Sequence, residues 1–304
     1  QNLNILTDEK PDHVMVFGAD HIYRMDPGQM LEHHLESGAG VTVAGIQVPI
    51  EEASAFGIIS AGENDKIVSF DEKPADPGHV PGDPTKAFAS MGNYIFDAKV
   101  LREIVTADAE EGEASKHDVG GDIIPALVRA GQAYVYDFSN NEIPNQTERE
   151  RGYWRDVGTL DAYYEANVDL VQPEPIFNLY NAEWPLYSHH RTGPPAKFVA
   201  DWQSGDPAVV NSIVANGVIV SGARVASSVV SVGTHVLHGA DVEGAVLLDD
   251  VVVGPNSVLR NCVVDKNVVI PEGTQIGVDL DADMERFTVS PGGIVVIAKN
   301  TVIG

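Results

Sequence analysis

The chain has 304 residues, with 45 acidic against 19 basic side chains, a net charge of −26 and a single cysteine. An acidic surplus of that size argues against a nucleic acid or an anionic membrane as partner, yet a few local lysines and arginines can still hold a phosphorylated substrate. One thiol excludes an intramolecular disulfide framework, and without an apolar run of membrane length or a signal peptide the chain reads as a two-domain cytoplasmic protein.

Residues 1–6 read as a helix already under way. Val14-Met15-Val16-Phe17, four apolar residues and then a polar stop, predicts a buried strand of a parallel sheet. Asp20 then falls just past its carboxyl end, where open α/β sheets bind ligands. Asp26-Pro27 predicts a helix start, with Met30, Leu31, His34 and Leu35 on one face and Gly38 at the end. Residues 41–48 predict a β-branched strand, and 56–60 with 66–70 a strand pair around the turn at 62–65. Tyr94-Ile95-Phe96 predicts a short strand followed by a helix over 98–105. Residues 121–130 predict a helix, 134–138 a strand, and Thr159 caps a helix running through Ala162, Tyr163, Ala166 and Leu170. This alternation indicates an α/β domain up to about residue 172.

From 173 to 205 the chain changes character. Pro173, Pro175, Pro185, Pro194 and Pro195, with Trp184 and Trp202, predict a packed, irregular linker. His189-His190-Arg191 within it has no third partner at a metal-like spacing and reads as exposed linker. Beyond 206 a repeat begins. Val252, Val258, Val264, Ile270 and Ile276 recur every six residues, as do Ile213, Ile219 and Val225, and, in a shifted frame, Val230, Val236 and Val242. One inward aliphatic per hexad predicts a parallel β-helix, with Cys262 a small residue on one of its strands.

Asp20 and Asp156 lie on separate polar loops, and two such carboxylates can share a Mg²⁺, although each alone would also serve as a cap or turn residue. The motifs GADHIYRMD (18–26), AFGIIS (55–60), FDEKP (70–74), FASMGNYIF (88–96), HDVGGDIIP (117–125) and YWRDVGTLDAYYEANVDL (153–170), in this order and spacing, resemble the ADP-glucose pyrophosphorylase (glucose-1-phosphate adenylyltransferase) family. The resemblance runs from Pro11 to the end of the chain. It implies a Rossmann-like α/β nucleotidyltransferase domain over 1–172, a linker over 173–205, and a left-handed parallel β-helix of hexapeptide repeats over 206–304 for regulation and oligomerisation.

The implied reaction joins ATP and glucose 1-phosphate into ADP-glucose and diphosphate for glycogen-type glucan synthesis. By resemblance Asp20 and Asp156 hold Mg²⁺, Lys73 holds the sugar phosphate, and Gly57, Glu72, Ser90 and Tyr94 line the sugar pocket. Asp118 and Asp122 lie near that pocket or cap a helix; Arg155 braces Asp156, and Trp154 packs the sugar side. Arg286 binds a phosphorylated effector or pairs with the acidic loop 279–283, and the assembly is a homotetramer. The family opens its catalytic domain with a glycine- and arginine-rich loop. No such segment occurs here, so the sequence reads as lacking roughly the first hundred residues of a domain that usually takes about 200, and as inactive by itself. Three alternatives are a non-catalytic regulatory subunit of the same architecture, another sugar-phosphate nucleotidyltransferase, and a hexapeptide acyltransferase using His235 and His238 as bases. Asp20, Lys73 and Asp156 together favour the enzyme, because a subunit without catalysis has no chemical need for the set.

Overall fold

Asp26 and Gly38 delimit the first long helix as their chemistry requires. The Asp26 carboxylate accepts from the Gly28 amide at 2.8 Å, and Gly38 closes the helix in the left-handed conformation, φ 62°. The computed structural model that shows this describes residues 3–189, 191–199 and 208–303. Gln1 of the expected first helix, and His190 and Trp202 of the linker, lie outside the described residues. The chain divides at Trp154/Arg155 into two units.

The first unit begins with α1 (Leu3–Glu9), β1 (His13–Val16), β2 (His21–Tyr23), α2 (Pro27–Ser37) and β3 (Val41–Pro49). It continues through β4 (Gly57–Ala61), β5 (Ile67–Glu72), β6 (Lys86–Asp97), α3 (Ala98–Glu110), α4 (Ile124–Arg129) and β7 (Ala133–Asp137). A mixed sheet runs β5–β4–β6–β3–β7, with β1 added on β6. β3 is parallel to β7, and β6 is antiparallel to both β1 and β3. Ile123, Ile124 and Leu127 cover one face against Val41, Ile59, Phe70 and Phe96. Met30 and Ala53 cover the other, against Ile46, Ile58, Met91 and Tyr136.

Four expectations change in this unit. β1 pairs with β6 alone among the described residues, and antiparallel, so Met15 and Phe17 are exposed rather than buried; an apolar run does not reveal on how many sides it is covered. Leu35 is 55% exposed, because five residues after buried Met30 it sits about 140° around the helix. His34, by contrast, is buried with its Nδ1 2.8 Å from Thr42 Oγ1, and burial together with His13 lowers its pKa to about 4, leaving it neutral. The helix expected from Gly121 starts as one π-turn, Val119–Ile123, before α4. Last, the short strand at 94–96 is the end of the 12-residue β6, whose middle carries a bulge.

The second unit opens with the last residues of β8 (Trp154–Asp156) and α5 (Leu160–Asp169), capped by Thr159 as expected, and continues into the repeat. The repeat is a parallel ladder. Arg224 lies opposite Asp241, Asp241 opposite Val258 and Val258 opposite Gln275, so each of these coils takes 17 residues, not three full hexads. The fully buried positions Val242, Leu247, Val253, Leu259, Val264 and Ile270 are accordingly spaced five, six, six, five and six apart. A parallel ladder needs equal coils, and here one of three sides is a residue short. Val252 and Val258, expected inward, therefore yield to Val253 and Leu259, and Ile219 yields to Val220, while Val225, Val230, Val236, Val264, Ile270 and Ile276 point inward as expected. The coils are consistent with a left-handed β-helix.

After Ile276 the chain leaves the ladder for an excursion containing α6 (Leu280–Met284), and the ladder resumes when Val295 pairs with Cys262. Cys262 is the small buried strand residue expected; burial pushes its thiol up to about 12. α5, which its alternation groups with the first domain, packs on the coils instead: Tyr164 is buried with Val246, Val263 and Ile294. No described helix is long and apolar enough to cross a membrane.

Gly277 has φ 71°, and a Cβ there would lie 1.8 Å from the Arg260 carbonyl oxygen, whereas Gly273 has φ 69° and open space. Gly273→Ala should cost about 1 kcal/mol from the left-handed backbone alone, and Gly277→Ala at least about 3 kcal/mol because two backbones must separate. Chemical denaturation of both variants checks this; equal losses would refute the close approach.

Candidate active site

The β6 bulge organises the polar end of the first sheet. Val43 pairs with Tyr94 and Gly45 with Ser90, so one residue of β3 faces three of β6, Met91, Gly92 and Asn93. Gly92 bears the left-handed turn, φ 70°, that the extra residues need. A Cβ on Gly92 would meet His21 Cε1 at 3.0 Å, and one on Gly18 would meet the same ring at 3.0 Å. Two glycines thus cradle the imidazole next to Asp20. Trp154, at the end of the first unit, packs edge-on against His21 with ring centroids 5.0 Å apart and against Phe56 at 5.6 Å.

Asp156 is two residues further along the short strand that Trp154 begins. Asp20 and His21 belong to the first unit, and Asp156 lies at the start of the second. His21 Nε2 is 3.6 Å from Asp20 Oδ1, and its buried Nδ1 has no hydrogen-bond partner among the described residues. Both carboxylates are exposed. Carboxylate oxygens in an open, hydrated place are the donors a hard divalent cation takes, so the residues fit such an ion. His21 was not singled out from the sequence, although it adjoins Asp20 in the GADHIY motif.

The residues on either side of the bulge, Ser90 and Tyr94, belong to a second cluster. Burial raises the Tyr94 phenol pKa above its usual value; the Ser90 hydroxyl lowers it, and the charges of Asp118 and Glu72 raise it. Gly57 pairs with Glu72 across β4 and β5, and a Cβ on it would lie 2.9 Å from Glu72 Oε2 and 3.1 Å from Phe70 Cζ. Only glycine leaves that carboxylate undisturbed. Lys73 follows, exposed, with its amide donating to Phe56 O at 3.0 Å and φ 48°, a conformation rare for a lysine. Phe56 and Phe70, which the sequence did not single out as site residues, thus both stand at the Gly57 end of the strand pair.

The remaining candidates separate. Asp118 caps the π-turn through Gly121 N, the capping role weighed as its alternative, and Asp122 accepts from the amides of Lys116 and Asp118. Arg155 does not brace Asp156; its guanidinium pairs with Glu165 at 2.6 Å, one helical turn into α5. Arg191 pairs with Asp250 at 2.5 Å. Arg286 is exposed, with its guanidinium 4.7 Å from the Phe287 ring centroid, and no ion pair to the 279–283 loop occurs among the described residues. His235 holds a ladder position between Ile219 and Val252, and His238 lies against Gly222 of the preceding coil, so both build coils.

A family model described as nucleotidyl transferase matches residues 1–172, and one described as a GlmU-like C-terminal hexapeptide domain matches 194–297. A protein of Corynebacterium jeikeium is 53% identical over all of this chain and 74% of its own length. One from Corynebacterium diphtheriae is 54% identical over all of this chain and 70% of its own length. One from Mycolicibacterium smegmatis is 54% identical over 98% of this chain and 72% of its own length. Each is named glucose-1-phosphate adenylyltransferase.

The glycine cradle makes a direct prediction. Gly92→Ala should destabilise the protein by about 2 kcal/mol through its backbone and the displaced imidazole. Gly18→Ala, without a left-handed backbone, should cost less but move the His21 ring resonances as far. Imidazole NMR combined with urea denaturation reads both effects, and unmoved His21 signals in the two variants would refute the cradle.

Proposed function

The chain belongs to the glucose-1-phosphate adenylyltransferase family of nucleotidyltransferases, and we propose that it serves the transfer of an adenylyl group from ATP to α-D-glucose 1-phosphate in glycogen-type glucan synthesis. One arrangement carries the reading: the β6 bulge sets Gly92 against the His21 ring, next to Asp20, and lies between Ser90 and Tyr94. A phosphate oxygen of glucose 1-phosphate attacks the α-phosphorus of ATP, and the bond to the diphosphate leaving group breaks. The attacking oxygen is already anionic, so neither a protein nucleophile nor a general base is required. Alignment and charge neutralisation are what the protein must provide.

Nucleotidyltransferases of this family generally use a divalent metal. We assign Mg²⁺ to Asp20 and Asp156; when bound, it neutralises phosphate charge as it develops. Lys73 meets the sugar phosphate as a point charge at the rim, held there by its unusual backbone. Glu72 accepts from sugar hydroxyls, Ser90 offers a hydroxyl, Tyr94 forms a wall, and Gly57 leaves room for the Glu72 carboxylate. A regulatory subunit would have no use for a lysine kept at φ 48° beside that pocket. The same reading takes 1–172 as the catalytic domain, 173–205 as linker and 206–304 as the β-helix, in a cytoplasmic homotetramer.

Diphosphate release across ATP, UTP, dTTP and GTP should favour ATP; preference for another nucleotide would overturn the substrate assignment. Asp20→Asn and Asp156→Asn should each lower kcat by roughly a hundredfold or more at saturating Mg²⁺. Lys73→Ala should chiefly raise the KM for glucose 1-phosphate. Near-normal rates in both aspartate variants would remove the shared metal.

The β-helix adds no group to the chemistry, which leaves it contacts and regulation. Arg286, with its guanidinium against the Phe287 ring, lines a depression with Glu272, Gln275, Asp279 and Asp283, and we assign it to a phosphorylated effector. Arg286→Ala should weaken activation by sugar phosphates while turnover without effector stays near normal. Parallel loss of both would make Arg286 structural.

A further inference from the structure

Asp156 is followed by no slack chain. Its Oδ1 accepts from Gly158 N at 2.7 Å, Thr159 Oγ1 accepts from Ala162 N at 3.2 Å, and Thr159 O accepts from Tyr163 N at 2.9 Å. The turn closed on the Asp156 carboxylate thus adjoins the capped first turn of α5, with only the Gly158–Thr159 peptide bond between them. In that first turn Asp161 reaches a distant segment. One of its carboxylate oxygens accepts from the Ser290 hydroxyl and the other from Gly292 N at 3.2 Å, while Ser290 Oγ also accepts from Ile294 N at 3.0 Å. Ser290 is buried, and a Cβ on Gly292 would lie 2.5 Å from Asp161 Oδ1, so the 290–292 turn is shaped around this carboxylate. An acid in a first turn also favours the helix dipole. That effect accounts for the residue type but not for two bonds to a turn more than a hundred residues on.

One turn later α5 has a second tie of a different kind. Tyr164 donates its hydroxyl to Gly244 O at 2.7 Å, and burial pushes the phenol up to about 12, which keeps it a donor. This bond holds the helix down on the coils, whereas the Asp161 bonds hold its beginning, the end that continues into Asp156.

We propose that Asp161 is a positioning residue for the Asp156 carboxylate: its tie to Ser290 and Gly292 fixes the start of α5 and, through the adjoining turn at 156–158, the place of the metal-binding oxygens. The proposal rests on the reading of Asp156 as a metal ligand. It assigns the excursion between Gly277 and Ile294 a part in the chemistry without its touching a substrate.

The test is a Mn²⁺ titration of the full chain followed by electron paramagnetic resonance, with the bound population lost in Asp156→Asn defining the site. Asp161→Asn and Ser290→Ala should each weaken Mn²⁺ at that site roughly five- to tenfold, and the double variant no further, because both remove one interaction. Ser290→Thr, which keeps the hydroxyl, should stay within about twofold of the parent. Tyr164→Phe should lower thermal stability yet leave Mn²⁺ affinity within about twofold, which separates positioning from loss of stability. Far-UV circular dichroism confirms folding of every variant at the titration temperature. Unchanged affinity in Asp161→Asn and Ser290→Ala, or equal weakening in Tyr164→Phe, would overturn the positioning role while the metal reading stands. Loss of no bound Mn²⁺ in Asp156→Asn would overturn the metal reading, and the positioning role with it.

Discussion

Three residues of β6 opposite one of β3 are the constraint on which the first unit's polar end depends. A regular strand would carry Ser90 and Tyr94 in uninterrupted alternation and would leave no protrusion toward the β1–β2 loop. The bulge at Met91–Asn93 preserves the alternation on both sides, so Phe88 and Phe96 stay in one core and Ala89 and Ile95 in the other, while Gly92 pushes out against His21. One local irregularity thus links the His21 ring, next to Asp20, to the strand that carries Ser90 and Tyr94. The sheet supplies rigidity; the bulge supplies direction.

A second constraint acts in the β-helix, where coils must match in length for parallel strands to stay in register. Seventeen residues per coil leave one side short, and the inward position slides by a residue at each short side. This explains why runs such as Val251-Val252-Val253 can supply either frame without exposing a polar group to the core. Charge follows the same ladder. Arg224 bonds Asp241 and Glu243, and Arg260 bonds Asp241 from the next coil, so stacked arginines take up part of the acidic excess. Such half-exposed pairs contribute little stability individually, and their value lies in keeping like charges on adjacent coils apart.

α5 belongs to both stories. Its sequence continues the alternation of the α/β domain, and the nucleotidyl transferase model reaches residue 172. Its apolar face, however, is spent on Val246, Val263 and Ile294 of the coils. A helix that follows Asp156 directly and is anchored on the repeat makes the β-helix part of the scaffold of that residue.

Much was legible in the residues themselves. Caps at Asp26 and Thr159, the stop at Gly38, the β4–β5 pair and the inward aliphatics Val225, Val230, Val236, Val264, Ile270 and Ile276 all follow from local chemistry: a short acceptor before free amides, a residue without Cβ at positive φ, and the recurrence of one aliphatic per strand. The motifs carried the family and the candidate acids. What they could not carry was any quantity set by a distant partner. Met15 is exposed because of what β1 pairs with, and Arg155 turns to Glu165 because α5 offers a carboxylate at 2.6 Å. Val253 replaces Val252 because coils must stack, and Gly92 matters because of a ring seventy-one residues earlier in the chain. Local sequence determines backbone preference and chemical type; only tertiary structure decides direction and neighbour, since those depend on which other segment occupies the adjoining space.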